Sequence, residues 1–309
     1  MDYVLTTNAI TKRYGKNKAL DTLTMHIPKG AVYGFVGRNG AGKTTTIRVI
    51  CGLQEPTEGD YMLYGVSSKE AAIFDVRKRI GAVVEKPAFY GDLSAKKNLE
   101  MQYTLLGMSS FEGIDALLKL VGLADTGKKK ARNFSLGMKQ RLGIAMALCG
   151  KPDFLILDEP VNGLDPQGII EIRELILKLN REQNITVLIS SHILDELSRL
   201  ATHYGFIDKG HLVQEISAAE LEKKCRKYLH AVVSDTALLA RALEPTGTDY
   251  EILSEQTANL YGEFRISELT KLLDAAGCEL ISVTEQEESL ENYFINLVGD
   301  PSQEGGASK

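Results

Sequence analysis

Residues 31–52, AVYGFVGRNGAGKTTTIRVICG, run an apolar stretch, a glycine-rich turn and a helical pattern together without a break. AVYGFVG (31–37) has the length and β-branched, aromatic content of a buried strand, and TTTIRVICG (44–52) reads as a helix that stops near Gly52. Between them GRNGAGKT fills the pattern GxxxxGK[ST]. Glycines let the backbone close on a polyphosphate, the N–H groups and the helix N-terminus supply positive potential, and Lys43 sets a charge beside the β- and γ-phosphates. Thr44 offers a hydroxyl to Mg²⁺. The residues expected to touch a nucleotide are Gly37, Arg38, Asn39, Gly40, Ala41, Gly42, Lys43, Thr44 and Thr45.

Two more apolar runs of strand length follow, FLILDEP (154–160) and ITVLISSH (185–192), of the continuous kind that parallel sheets bury on both faces. PQGIIEIRELILKLNREQN between them spaces Ile170, Leu175, Ile176 and Leu179 at helical intervals, which makes it a crossover helix. The expected fold class is α/β, a phosphate-loop domain built on a mainly parallel sheet. Ligands of such sheets lie beyond the carboxyl ends of the strands. Asp158 ends one strand and is placed to hold Mg²⁺, while the adjacent Glu159 is placed to orient and deprotonate an attacking water. His192 ends the next strand, after one crossover helix, and opens the helical pattern HILDELSRL. It is therefore expected at the same sheet edge, in reach of a γ-phosphate.

Residues 92–131 break the alternation, because SAKKNLEMQYTLLG and GIDALLKLVGL read as helices with no strand between them. A helical subdomain, about 92–150, is expected as an insertion in a nucleotide-binding domain of residues 1–215. The charged stretch EISAAELEKKCRK marks a linker at 216–227. Residues 228–299 then read as strand, helix, two strands, helix, strand and a last helix LENYFINLV, a small ferredoxin-like or other α+β accessory domain. The tail PSQEGGASK, 300–309, has a disordered composition.

With 309 residues, 44% apolar and 25% charged, the chain has material for a large core. No stretch approaches the roughly 18 uninterrupted apolar residues of a membrane span. Its first residues, MDYVLTTNAITKRYGK, show no secretory pattern, so a cytoplasmic location is expected. Cys51, Cys149, Cys225 and Cys278 are scattered without a CxxC pair, which speaks against a zinc cage or a disulfide framework. A net charge of -5 removes the footprint of a general nucleic-acid binder, and the basic run Lys128-Lys129-Lys130 with Arg132 reads as a solvated face.

Over residues 1–215 these motifs together resemble the ATP-binding subunits of ABC transporters. FSLGMKQR (134–141), ahead of the helix LGIAMALCG, resembles a variant of that family's LSGGQ signature. The resemblance implies that Ser135 and Gly137 contact the γ-phosphate of ATP held by a second subunit, whereas Leu136 and Met138 replace the family's usual Gly and Gln. NGLDP (162–166) resembles the loop that crosses the dimer interface, and Tyr14 in KRYGKNKAL resembles the aromatic that stacks on adenine. Glu85, in IGAVVEKPAFYGDLSAKKNL, stands where most members carry a glutamine near Mg²⁺.

A glutamate at that position, the FSLGMKQR wording and the C-terminal extension together resemble the bacitracin-type and lantibiotic-immunity exporters. The implied function is an ATPase that uses ATP and Mg²⁺, dimerises with itself, and drives a separate integral membrane permease. It would meet the membrane only through that permease. Two alternatives accompany this reading: the ATPase of an ion, lipid or other solute transporter, and a soluble ABC ATPase with no transport role. The second class usually carries two cassettes or a long coiled coil, and this sequence has one cassette and no sustained heptads.

Overall fold

The computed structural model describes residues 2–225, 227–262, 265–287 and 290–299. The chain divides into two compact units, Met1–Ala218 and Ala219–Lys309. The expected tail 300–309 lies outside the described residues.

The first unit is organised around a six-stranded sheet in the order His211–Ser217, His203–Asp208, Val32–Val36, Thr186–Ser191, Phe154–Asp158, Ile80–Val83. Five of these strands run parallel, and only the edge hairpin His203–Asp208 with His211–Ser217 is antiparallel. All five residues of Val32–Val36 and of Phe154–Asp158 are buried, as continuous apolar strands covered on both faces must be. Register places Val36 opposite Ser191 and Asp158 opposite Ser190, so the phosphate loop, Asp158 and His192 leave the sheet at one edge. The crossover helix Pro166–Gln183 starts on Asp165, whose carboxylate accepts from the Gly168 N–H at 3.0 Å, and stops at Asn184 in the left-handed conformation.

A second, antiparallel sheet was not read from the sequence. Asn17–Leu23, Tyr3–Tyr14, Glu58–Leu63 and Val66–Ser67 pair in that order, and His26–Pro28 also pairs with Tyr3–Tyr14. The phosphate-loop helix Lys43–Ile50 is packed in the core that these strands share with the six-stranded sheet, where Leu5, Ile10, Ile47, Ile50, Phe35 and Ile156 all have zero exposure. Burial of both sheets on this helix fixes the loop before any ligand arrives.

The inserted helices are Ala95–Leu105, Ile114–Leu120 and Leu136–Leu148, as the α/β reading required. Ser94 caps the first by accepting from the Lys97 N–H, and the fully buried Asn98 is satisfied by Tyr90 and Ser94. One boundary differs from the sequence reading. The helix after His192 spans only Leu194–Ser198, because Ser191 turns the chain first, its hydroxyl accepting from the Ile193 N–H at 2.9 Å.

The charged stretch after the last sheet strand forms the helix Ala218–Lys224. Beyond it the strands Lys227–Val233, Asp249–Ile252, Thr257–Tyr261 and Leu280–Glu287 make an antiparallel sheet in the order second, third, first, fourth. The third strand thus sits between the first two and the first between the last two, the split arrangement of a ferredoxin-like βαββαβ unit. Helices Thr236–Leu243 and Ile266–Ala275 close a separate core with Leu229, Val233, Leu260 and Leu273. Leu290–Val298 is the last helix. Among the described residues no helix is long and apolar enough to cross a membrane.

Candidate nucleotide site

The phosphate loop needs its glycines for steric reasons that can be measured. A Cβ on Gly37 would meet the Ile207 carbonyl oxygen at 2.5 Å, and Gly42, at φ 114°, has the Ala19 oxygen 2.7 Å from the same point. Gly40 has open space around it, but its φ of 82° favours glycine. Arg38 is half-buried, Asn39 and Gly40 are exposed, Ala41 is buried and Thr45 is half-buried. Backbone groups are thereby brought to the surface of the loop, and the chain is held in shape by Ala41 N–H to Arg38 at 3.1 Å and Thr46 N–H to Gly42 at 2.9 Å.

Lys43 is 6% exposed, an expensive place for a charge, and its ammonium is fully engaged. Nζ donates to the Gly37 and Arg38 carbonyls at 2.5 and 3.2 Å and lies 3.2 Å from Glu159 Oε1. Beside it the half-buried Thr44 hydroxyl donates to Asp158 Oδ2 at 2.8 Å, and the Ser190 hydroxyl donates to Asp158 Oδ1 at 2.5 Å. Glu159 sits at φ 50°, held by its own N–H, which donates to Ser190 Oγ at 2.9 Å. Its Oε2 receives His192 Nδ1 at 2.7 Å. The structure therefore brings Lys43, Thr44, Asp158, Glu159 and His192 into one cluster.

The donor set is small. Among the described residues no group of three or more His, Cys, Asp or Glu is arranged to hold a metal. A hydroxyl and a carboxylate side by side suit Mg²⁺, which keeps waters and takes phosphate oxygens as its other ligands.

The remaining expected residues lie elsewhere. Ser135 caps the helix Leu136–Leu148, accepting from the Met138 N–H at 3.3 Å, and is exposed. A Cβ on Gly137 would lie 3.8 Å from Leu164 and 3.9 Å from Gly168, so the signature turn faces the NGLDP segment of its own chain. Among the described residues no hydrogen bond joins Ser135 or Gly137 to the phosphate loop. Tyr14 ends the strand Tyr3–Tyr14, is 46% exposed, donates its hydroxyl to Gln54 and has Lys12 Nζ 5.6 Å over its ring. Glu85, at φ 62°, ion-pairs with Arg48 of the phosphate-loop helix, and no hydrogen bond among the described residues joins it to Thr44 or Asp158. Burial pushes the Cys51 and Cys149 thiols up to about 12, which makes both unreactive.

A model of the ABC transporter family matches residues 20–162. The bacitracin transport ATP-binding protein BcrA of Bacillus licheniformis is 43% identical over 302 residues, 97% of this chain and 98% of that protein. This chain belongs to the ABC transporter ATP-binding family. BcrA of Enterococcus faecalis is 40% identical over 97% of both chains, and the lantibiotic transport ATP-binding protein SrtF of Streptococcus pyogenes is 46% identical over 67% of this chain and 87% of its own. Among solved structures, CbiO1 of Clostridium perfringens, part of an ABC transporter complex, matches at TM-score 0.65 with 27% identity over 72% of this chain and 92% of its own. The bacterial ABC transporter cassette MJ0796, solved as a dimer, matches at 0.62 with 26% identity over 69% and 98%.

The cassette is thus an ATP-hydrolysing subunit of an ABC transporter, and ATP is its ligand. Two residues of the site were not foreseen. Ser190 supports both Asp158 and the Glu159 N–H, and the one trace of it in the sequence is the pair of small polar residues just before His192 in ITVLISSH. Arg48 had no signal, since its partner Glu85 lies on another element.

Proposed function

We propose that this cassette works as a homodimer on the cytoplasmic face of the membrane, powering a separate permease that exports a peptide antibiotic of bacitracin or lantibiotic type or protects against it. The cluster of Lys43, Glu159 and His192 beside Thr44 and Asp158 carries the ATPase part, and the similarity to the BcrA proteins along nearly the whole chain carries the cargo class. Tyr14 takes the adenine, residues 37–45 take the phosphates, and Ser135 and Gly137 of a second copy close on the γ-phosphate.

In the structure both oxygens of Glu159 are occupied, one by Lys43 and one by His192. Phosphates draw the Lys43 ammonium to themselves, which frees Oε1 to accept the proton of an attacking water. Oε2 stays fixed by His192, whose ring orients the carboxylate. Thr44 and Asp158 would hold Mg²⁺, which would supply positive charge against the polyphosphate.

A cavity of about 760 Å³ separates the phosphate-loop side of the domain from the helical insert. Leu53, Phe74 and Leu106 on its margin are 63%, 69% and 48% exposed, a cluster of apolar surface suited to a short apolar helix of the permease. Val84 and Lys86 line it on either side of Glu85, and Glu85 is tied to Arg48. The Arg48–Glu85 pair therefore links the nucleotide helix to the permease groove, and Glu85 acts near Mg²⁺ only if nucleotide releases it from Arg48.

Deleting the chain from its host and measuring sensitivity to bacitracin and to a nisin-type lantibiotic tests the cargo class, with Lys43→Ala as the inactive control. Restored resistance by the native chain and none by the variant is expected. Unchanged sensitivity to both peptides on deletion contradicts the cargo class and leaves the ATPase reading standing.

A further inference from the structure

The stretch FSLGMKQR ends in a residue with no part in the mechanism above, Arg141. It lies one turn beyond Gly137 on the helix Leu136–Leu148, so the two share a face. That face lies along the crossover helix Pro166–Gln183. A Cβ on Gly137 would come within 3.9 Å of the Gly168 Cα, and Arg141 Nη2 lies 3.3 Å from Oε2 of Glu171, one turn on from Gly168. Arg141 Nη1 also donates to the Gly122 carbonyl at 3.5 Å, just past the helix Ile114–Leu120. The guanidinium thus joins three segments. Its side chain is only 17% exposed, and its Nε is buried with no hydrogen-bond partner among the described residues, which leaves the Glu171 carboxylate as the main compensation for the charge.

Where the same two helices begin, the signature turn meets the NGLDP segment. Leu136, which replaces the family's usual glycine, has its Cδ2 3.4 Å from the position of a Cβ on Gly163, and Leu164 Cδ2 is 3.8 Å from that of a Cβ on Gly137. Ser135, Leu136, Asn162 and Gly163 are all exposed, so two loops make one outward surface. Contacts at these distances are ordinary van der Waals ones, individually weak. The ion pair behind them ties together the helices that carry the two loops.

We propose that Arg141 is a positioning residue whose pairing with Glu171 fixes the signature turn against the NGLDP segment of its own chain, so that both meet a second copy as one preformed surface. The proposal rests on the reading that Ser135 and Gly137 of one copy close on the γ-phosphate held by the other. A surface ordered before docking loses less freedom on docking. A two-fold dimer contains the pair twice, so its loss counts twice. The grip of a single copy on nucleotide should not feel the change, since residues 37–45 and Tyr14 lie on other elements.

The test is made in Glu159→Gln, which is expected to accumulate the ATP-bound dimer. Light scattering over a protein dilution series with ATP and Mg²⁺ gives the concentration at which half the protein is dimeric. Adding Arg141→Met, which keeps an apolar stem, should raise that concentration by about fivefold or more, while the affinity of the dilute monomer for a fluorescent ATP analogue stays within about twofold. Glu171→Gln breaks the same pair from its more exposed side and should give the same shift, so a folding defect in one variant does not decide the outcome. Reversing the pair, Arg141→Glu with Glu171→Arg, should recover most of the loss that Arg141→Glu alone causes. An unchanged half-dimer concentration in folded Arg141→Met and Glu171→Gln overturns the proposal, as does a reversed pair no better than Arg141→Glu alone. A Glu159→Gln parent that stays monomeric with ATP overturns the dimer reading itself, and this proposal with it.

Discussion

The Lys43 ammonium is buried, tied to two loop carbonyls and drawn to Glu159, a charge kept out of water at the one place where the loop opens toward a ligand. Removing it takes the principal cation out of the site and leaves the Glu159 carboxylate facing the phosphates alone. We expect Lys43→Ala to weaken ATP binding by at least tenfold in calorimetry, since a charge-assisted bond in a buried site is worth about 1.5–3 kcal/mol. An unchanged affinity would mean that the loop does not grip phosphate as drawn. Lys43, Thr44, Asp158 and Glu159 were legible because each lies in a contiguous motif whose chemistry is local. Ser190 and Arg48 were not, because their partners are assigned by strand register and helix packing across the fold.

The phosphate-loop helix and the crossover helix were legible as elements for the same reason: a 3.6-residue apolar period between buried strands has few other solutions. The antiparallel sheet was hidden. Tyr3–Tyr14 alternates only in part, and its pairing with Asn17–Leu23, His26–Pro28 and Glu58–Leu63 is interrupted by register shifts, with Ala9 at φ 48° inside the strand. Bulges of that kind erase the two-residue period that would have announced it. The groove between this core and the helical insert sets a prediction of its own. Phe74→Glu places a charge on a 69% exposed aromatic at the groove margin, outside every nucleotide contact. Basal ATPase should stay within twofold, while stimulation by the reconstituted permease should fall at least fivefold. Equal stimulation in both proteins would place the permease elsewhere.

At the scale of the whole molecule, the two compact units have separate cores, and every proposed nucleotide contact lies in the first. A chain ending near residue 224, at the end of the helix Ala218–Lys224, should fold and bind ATP with native affinity. Loss of binding in a truncation that keeps its helical circular dichroism would mean that the second unit completes the site or its dimer. The order of the second unit's strands could be read only as one of several α+β arrangements, because sequence shows which segments are strands but not which ones pair.

In the proposed cycle two copies of this chain close on ATP, and Glu159 then removes a proton from water. Glu159→Gln isolates it, because the amide preserves shape, loses the basic oxygen and slows hydrolysis by about 100-fold or more. The decisive measurement is the light-scattering mass of this variant with ATP and Mg²⁺. A mass near twice 33.9 kDa with ATP and near 33.9 kDa without it is expected. A variant that stays monomeric with ATP bound, or that hydrolyses ATP at the native rate, contradicts the cycle.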